Sequence, residues 1–339
     1  MFICKLTLLG KKKRENREVF YLFNIIPLFS CIQSADKSVY RIFGFKITHR
    51  KNKFSNQELI QLNKTYENGC GTIPNVKNKS ETLDTLVNSN NSIARYGDGE
   101  FSLIFGQDIS FQKFSPILQQ KLKEILIEKN NILMVAIPDI FGSLEHYSTG
   151  SANFWRKLVV NTRSRTYNFI DLNKQYFDAC VSRPYMNAKD KSGVKTFFEK
   201  FKKVWENKNI VLVEGKMSRM GMGNDLFSNA ASVKRIICPT KNAFTYYDKI
   251  IAECKKQPAD TLFIIALGPT ATVLASDLSK NGFRALDLGH IDIEYEWFLR
   301  NADKKIPIKN KYVNEVKKGR VNTNLNDSTY LEQIIKIIE

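Results

Sequence analysis

The stretch from Ser92 to Phe101, SIARYGDGEF, contains an arginine, two glycines and two carboxylates close together in the segment RYGDGE (95–100). If this segment is extended, Asp98 and Glu100 point the same way and can offer oxygen ligands to one hard cation, Mn²⁺ or Mg²⁺. Gly97 allows a sharp turn and the close approach of a ligand, and Arg95 can reach a phosphate held by the same cation. The alternative is a solvated turn, because Gly-Asp-Gly is ordinary turn chemistry.

A second acidic cluster follows His290. If the chain is extended there, Asp292, Glu294 and Glu296 lie on one side; if it is helical, Asp292 and Glu296 share a face. His290 is a candidate third metal ligand, and one of the three acids is a candidate general base. The alternative is an acidic helix start, which the helix dipole favours.

Three loops carry candidate anion-binding residues. Gly268 and Thr270 join a strand to a helix, where free N–H groups can bind a diphosphate. Arg219 can bind phosphate, and Asn224 can hold a sugar hydroxyl or cap a helix. Arg183 is a candidate phosphate or acceptor contact. For Gly268 and Thr270 the alternative is an ordinary strand-to-helix connection with a capped helix. For Arg219 and Asn224 it is a loop in which Asn224 only caps a helix. For the loop of Arg183 it is packing of the neighbouring Tyr185.

Alternating strand and helix patterns from Ser80 onward must position these residues. Apolar runs such as 132–137, 210–213 and 261–267 lack the polar alternation of a half-exposed strand. They predict an α/β fold with a mostly parallel sheet covered by helices on both faces. Ligands then bind beyond the carboxyl ends of the strands, where the unusual residues lie. The absence of a G-x-G-x-x-G motif after the first strand disfavours a dinucleotide-binding domain.

Composition limits the chemistry further. The 339 residues are 43% hydrophobic, enough for one large domain and an accessory piece. The six cysteines have no regular spacing, which favours reduced thiols in a cytoplasmic protein. With only three histidines, a metal is more readily held by carboxylates than by a histidine cluster.

The net charge of +18 is concentrated near the N-terminus. Residues 1–54 are predicted to be a basic β-rich appendage, 55–80 a linker, and 319–339 a tail with a short helix. A basic appendage can make peripheral contact with an anionic membrane. No nucleic acid is expected, because residues 81–300 carry a charge of only +5. The apolar run that follows Lys11 does not fit a signal peptide, since Pro27 interrupts it.

Several motifs together resemble the GT-D-fold glycosyltransferases, a family first known as a bacterial domain of unknown function. The resemblance covers roughly residues 80–318. It is carried by RYGDGE (95–100), SRPY (182–185), VEG (213–215) with Arg219, GNDLF (223–227), NAF (242–244), ALGPTAT (266–272) and GHIDIEYEW (289–297).

The resemblance implies a Rossmann-like GT-D domain over residues 81–318 that transfers glucose, by default, from UDP-glucose to a carbohydrate acceptor. It implies that Asp98 and Glu100 form the family's metal-binding D-x-E motif. Family members help to build glycans on serine-rich-repeat surface adhesins. A metal-dependent phosphohydrolase acting on nucleotide sugars is the alternative, and a basic nucleic-acid-binding protein is a weaker one.

Overall fold

The computed structural model describes residues 9–14, 17–22, 26–33, 37–42, 45–50, 54–317, 319 and 327–339. The chain divides into two compact units, Met1–Gln61 and Leu62–Glu339. Within the described ranges, none of the helices has the length and apolar character needed to cross a bilayer.

The first unit contains a five-stranded antiparallel sheet in which each strand pairs with the next. The strands are β1 (Leu9–Arg14), β2 (Arg17–Leu22), β3 (Ile26–Gln33), β4 (Lys37–Ile42) and β5 (Phe45–Arg50). These strands agree with the predicted β-rich N-terminal segment. The turn-forming residues Asn24 and Gly44 predict a bend in each of two aromatic-rich segments, and both residues lie outside the described ranges.

The second unit is built on a nine-stranded sheet whose neighbouring strands are parallel, as predicted. The strands are β6 (Asn75–Val76), β7 (Ser92–Arg95), β8 (Leu133–Ile137), β9 (Gln175–Asp178), β10 (Asn209–Gly215), β11 (Ser232–Cys238), β12 (Leu262–Ala266), β13 (Arg284–Asp287) and β14 (Ile334–Ile337). Their order across the sheet is β14-β11-β10-β12-β13-β7-β8-β9-β6.

Ten helices lie in the described ranges. They are α1 (Asn56–Glu67), α2 (Lys79–Asn88), α3 (Asp98–Ile104), α4 (Pro116–Ile127), α5 (Thr149–Tyr167), α6 (Val194–Lys202), α7 (Tyr247–Cys254), α8 (Pro269–Lys280), α9 (Ile291–Leu299) and α10 (Ser328–Glu332). Hydrogen bonds from capping side chains fix the residue at which several of these helices begin. Asn78 and Glu81 form a reciprocal capping box for α2, and the Ser115 hydroxyl caps α4.

Helices cover both faces of the parallel sheet because its strands are apolar on both sides. In β8, Val135 and Ile137 belong to the core shared with α3, α4, α5 and α8. Met134 and Ala136 belong to the core shared with α2, α6 and α9. Because successive side chains of a strand point to opposite faces, β8 contributes residues to two separate cores.

The neighbouring strands β7 and β13 continue into helices on opposite faces of the sheet. Strand β7 leads to α3, which packs in the core shared with α4 and α8, and β13 leads to α9, which packs in the core shared with α2 and α6. We call this point the strand reversal. A reversal of this kind opens a crevice at the carboxyl ends of the two central strands. Arg95 ends β7 and Asp287 ends β13, so both residues lie at this crevice.

Three predictions about the elements need correction. Residues 55–80, predicted to be a linker, contain α1 and β6. The tail contains the predicted short helix, α10, but also β14, which extends the sheet beside β11. Helix α5 and strand β9 were not predicted, because α5 mixes small and polar residues on its inner side and β9 has only four residues.

Candidate active site

A cleft of about 870 Å³ lies at the carboxyl ends of the parallel strands. Six residues that end or directly follow β7, β8, β10, β11, β12 and β13 line it: Arg95, Pro138, Gly215, Pro239, Ala266 and Asp287. The strand ends therefore converge on a single cleft, as the parallel sheet predicts.

Asp98 and Glu100 form the first turn of α3. The expectation that they project side by side from an extended segment is wrong, because residues two apart on a helix lie on different faces. The Gly97 N–H donates to Glu100 Oε2 at 2.7 Å, which fixes the start of the helix. Asp98 is exposed, and both carboxylates line the cleft. Both carboxylates therefore reach the cleft, but they do so from a helix and not from an extended segment.

Negative charge accumulates around Glu100. Burial and the nearby Asp287 carboxylate raise the pKa of Glu100 to about 7, and Asp98 adds to the rise, while the Gly97 N–H opposes it. Burial also raises the pKa of Asp287, although Arg95 opposes that shift. Carboxylates that repel one another in this way fit a hard divalent cation, which would relieve the repulsion.

Arg95 has two carbonyl partners and one carboxylate partner. Its Nη2 lies 3.1 Å from Asp287 Oδ1, its Nη1 donates to the Ala179 carbonyl at 2.9 Å, and its Nε donates to the Asp287 carbonyl. The guanidinium therefore joins the ends of β7 and β13 to the turn after β9. It still lines the cleft and adds positive potential there.

Two cations surround Glu315 on another part of the cleft wall; we define Arg183 and Lys305 as the cationic group. Arg183 Nη1 and Lys305 Nζ lie 2.9 and 2.8 Å from the Glu315 carboxylate, and His290 Nε2 lies at 3.8 Å. Arg183 and Lys305 hold the pKa of Glu315 well below its usual range despite burial. Burial and the charge of Arg183 lower the pKa of His290 to about 3, so its imidazole is neutral.

His290 thus lies beside Glu315, although it was predicted to be the third metal ligand. Across the described part of the chain, no three His, Cys, Asp or Glu side chains are grouped so that they could hold a metal ion together. Asp98 and Glu100 line the cleft, and their role as metal ligands stays a prediction.

The loop after β12 turns sharply at Gly268, whose φ is +55°. A Cβ there would lie 2.5 Å from Phe111 Cε2, so only glycine fits both the backbone and the space. Gly268, and not Thr270, is the N-cap of α8. Thr270 is fully buried outside the cleft lining, so its role in donor binding stays a prediction that its position does not support.

The acids on α9 face different partners. Asp292 and Glu296 share a face, as the helical alternative predicts, and both pair with buried Lys311 Nζ at 2.7 and 2.8 Å. Asn224 Nδ2 donates to both acids at 2.8 and 2.7 Å. Arg300 also donates to Glu296. Of these residues only Asp292 lines the cleft.

Glu294 lies on another side of α9 and is fully buried. Its Oε2 accepts the N–H groups of Tyr185 and Met186 at 2.9 and 2.8 Å. Glu294 and Glu296 are buried and lie outside the cleft lining, so nothing in their position supports the prediction that either is a base, and it stays a prediction.

Arg219 and Asn224 also lie outside the cleft lining. Arg219 is buried and donates from Nη1 to the Asn310 carbonyl at 2.8 Å, and Asn224 joins α9 as described. Arg219 thus contacts the residue before Lys311, and Asn224 contacts the two acids that pair with Lys311. Their predicted contacts with a donor stay predictions, which the cleft lining does not support.

The family model "Glycosyltransferase GT-D fold" matches residues 93–316, a stretch that contains the whole cleft-bearing sheet from β7 to β13. The chain belongs to the GT-D-fold glycosyltransferases.

Relatives of this GT-D chain carry matching names. It is 38% identical over 258 residues to a probable glycosyl transferase, Gly, of Streptococcus gordonii, and 37% identical over 261 residues to the glycosyltransferase GlyD of Streptococcus pneumoniae. These alignments cover 75% and 77% of the chain but 37% and 32% of the relatives, so the chain spans about a third of their length.

Solved GT-D structures superpose over most of the chain. A glycosyltransferase from Streptococcus sanguinis, 38% identical, gives a TM-score of 0.76 over 79% of this chain and all of its own. A structure described as a domain of unknown function with a distinct glycosyltransferase fold, 35% identical, gives 0.75 over 84% of this chain and all of its own. Fold and enzyme class therefore agree with the resemblance seen in the motifs.

Sequence reasoning missed three polar residues of the GT-D cleft. Asp287 ends an apolar strand, and that position alone was a usable signal, because strand ends supply the site. Lys305 and Glu315 lie between α9 and α10 without a periodic pattern. Only the folded chain brings them to Arg183.

Proposed function

We propose that this glycosyltransferase is metal-dependent and transfers a sugar, glucose by default, from a UDP-sugar to a carbohydrate acceptor in the assembly of a surface glycan or glycoprotein. The observation that carries the proposal is the arrangement of the cleft. The carboxylates of Asp98 and Glu100 lie at the strand reversal, and the cationic group lines another part of the same cleft. A hard cation and an anionic diphosphate need this combination.

Asp98 and Glu100 would hold Mn²⁺ or Mg²⁺ in this proposal. Their fit rests on the crowding of Glu100, Asp98 and Asp287, which raises the pKa of Glu100 to about 7. When bound, the cation supplies positive charge that stabilises the departing nucleoside diphosphate.

Donor binding is proposed for four cleft residues, Arg95, Gly97, Arg183 and Gly268. Arg183 can exchange its contact with Glu315 for a phosphate oxygen, since a guanidinium binds both anions with the same fork of N–H groups. Gly97 and Gly268 leave room for the backbone to approach the ligand.

Transfer joins an acceptor oxygen to the anomeric carbon while the bond from that carbon to the diphosphate breaks. The acceptor hydroxyl must lose its proton in this step. Asp292 is the acid from the predicted set that reaches the cleft, and we keep it as the candidate base.

The metal proposal predicts that Asp98→Asn abolishes consumption of UDP-sugars and that EDTA has the same effect on the unchanged protein. Product mass detection over a panel of UDP-sugars, with and without Mn²⁺, measures both. Asp248→Asn is the matched control, since Asp248 is an exposed acid in the first turn of α7 outside the cleft.

Full turnover in EDTA, or in the Asp98→Asn protein, would refute the metal role. Release of UMP and sugar 1-phosphate at the same rate with and without every acceptor tested would instead favour the phosphohydrolase alternative.

A further inference from the structure

One part of the cleft lining consists of aromatic and neutral polar side chains. We define this neutral wall as Ser148, Ser151, Phe154, Trp155 and Asn187. Four of these residues lie at the start of α5, and Asn187 lies in the segment between β9 and α6. None of the charged residues described above belongs to it.

Phe154 is the apolar feature of the neutral wall. Its side chain is 51% exposed although it lines a cleft, which is unusual for a phenylalanine. Trp155, which is only 7% exposed, packs edge-on against it with ring centroids 4.9 Å apart. The buried indole therefore holds an open phenyl ring in one orientation at the cleft.

Asn187 is the polar feature. It is only 7% exposed, and its Oδ1 accepts from Ser151 Oγ at 3.2 Å. Ser148 Oγ in turn donates to Ser151 Oγ at 3.1 Å, so this short chain of hydroxyls fixes the amide. Among the described residues, Nδ2 of Asn187 donates to none, and it is not one of the enclosed side-chain atoms without a partner. This amide donor is therefore open to the cleft and can donate to a ligand there.

A pyranose ring has the chemistry that this wall matches. Its C–H face is apolar and can cover an aromatic ring, while its hydroxyls accept and donate hydrogen bonds at the rim. A phosphate has neither property and is better matched by Arg183 and Lys305.

We propose that the neutral wall is the subsite for the acceptor sugar, with Phe154 stacking on the ring and Asn187 Nδ2 donating to one of its hydroxyls. The assignment rests on the proposed function, which supplies the need for a carbohydrate acceptor. It places the acceptor on the β8–β9 side of the strand reversal.

Binding without turnover tests this subsite separately from the proposed activity. Saturation-transfer NMR on the full chain, with a panel of p-nitrophenyl glycosides of hexoses and N-acetylhexosamines, measures acceptor binding in the absence of donor. Phe154→Ala should weaken binding of the bound glycoside about tenfold, since an aromatic contact of this kind is lost. Asn187→Asp, which keeps the acceptor for Ser151 but removes the amide donor, should weaken it as well.

Phe114→Ala is the matched control, because Phe114 is an exposed phenylalanine outside the cleft lining. Calorimetric titration with UDP and Mn²⁺ should give the same affinity for the unchanged protein and all three variants. The subsite is refuted if no glycoside binds, if Phe154→Ala binds as the unchanged protein does, or if Phe154→Ala weakens UDP instead. A chain that binds glycosides through Phe154 but consumes no UDP-sugar would refute the proposed function and leave the sugar subsite standing.

Discussion

The cleft has negatively charged residues in one place and positively charged residues in another. Asp98, Glu100 and Asp287 concentrate negative charge at the strand reversal, and Arg95 compensates only part of it. Arg183 and Lys305 concentrate positive charge around one carboxylate, Glu315. A cation and a diphosphate bound together would complement both places at once.

Glu315→Gln is expected to tighten donor binding several-fold. The carboxylate now occupies Arg183 and Lys305, and its removal frees their N–H groups for phosphate oxygens. Calorimetric titration with UDP and Mn²⁺ measures the change. Glu253→Gln, which removes the carboxylate partner of the exposed Lys256 outside the cleft, should bind UDP as the unchanged protein does. Unchanged or weaker UDP binding by Glu315→Gln would show that this cationic group does not meet the donor.

Among the elements, α9 depends most on buried charge. Lys311 is 1% exposed and lies between Asp292 and Glu296, so it ties the segment after α9 back to the helix. Removing one member of a buried ionic group leaves the others without compensation, which costs more than the group contributes when complete.

Lys311→Met should therefore lower the free energy of unfolding by about 3–5 kcal/mol, measured by urea denaturation. Lys309→Met, at an exposed position two residues away, should change it by less than about 0.5 kcal/mol. Adding Asp292→Asn and Glu296→Gln to Lys311→Met should restore part of the loss. Equal effects of the two single lysine changes would contradict a charge network at α9.

The parallel sheet was predictable from the sequence because its central strands are apolar on both faces. The same logic placed Asp98, Glu100 and Gly268 at strand ends. The local geometry of Asp98 and Glu100 was not predictable, since a two-residue spacing carries no information on whether the backbone is extended or helical. The partners of Glu294 and Glu296 were equally hidden, because their contacts come from residues about 15 to 110 positions away.

At the scale of the whole molecule, charge is unevenly distributed between the two units. Residues 1–54 contain 12 Lys and Arg against 3 Asp and Glu. An anionic lipid surface attracts such a segment by about 1 kcal/mol for each basic residue that comes near it. We propose peripheral contact with the inner face of the membrane by a cytoplasmic enzyme.

Deletion of residues 1–54 should abolish most binding to phosphatidylglycerol vesicles and leave UDP-sugar turnover in place, because the sheet of the second unit starts after them. Vesicle co-sedimentation measures binding, and neutral phosphatidylcholine vesicles and added salt are the controls. Undiminished sedimentation with the anionic vesicles would refute the membrane role of this segment.

The meeting of two sheet halves at β7 and β13 also has a genetic consequence. Strands β7, β8 and β9 lie in residues 92–178, and β10 to β13 lie in residues 209–287, so each half of the sheet comes from one uninterrupted stretch of chain. Recombination between two related genes near residue 200 would carry the carboxylate pair and the neutral wall across as one piece. Acceptor preference could then pass between enzymes while the Gly268 loop and α9 stay with their original gene.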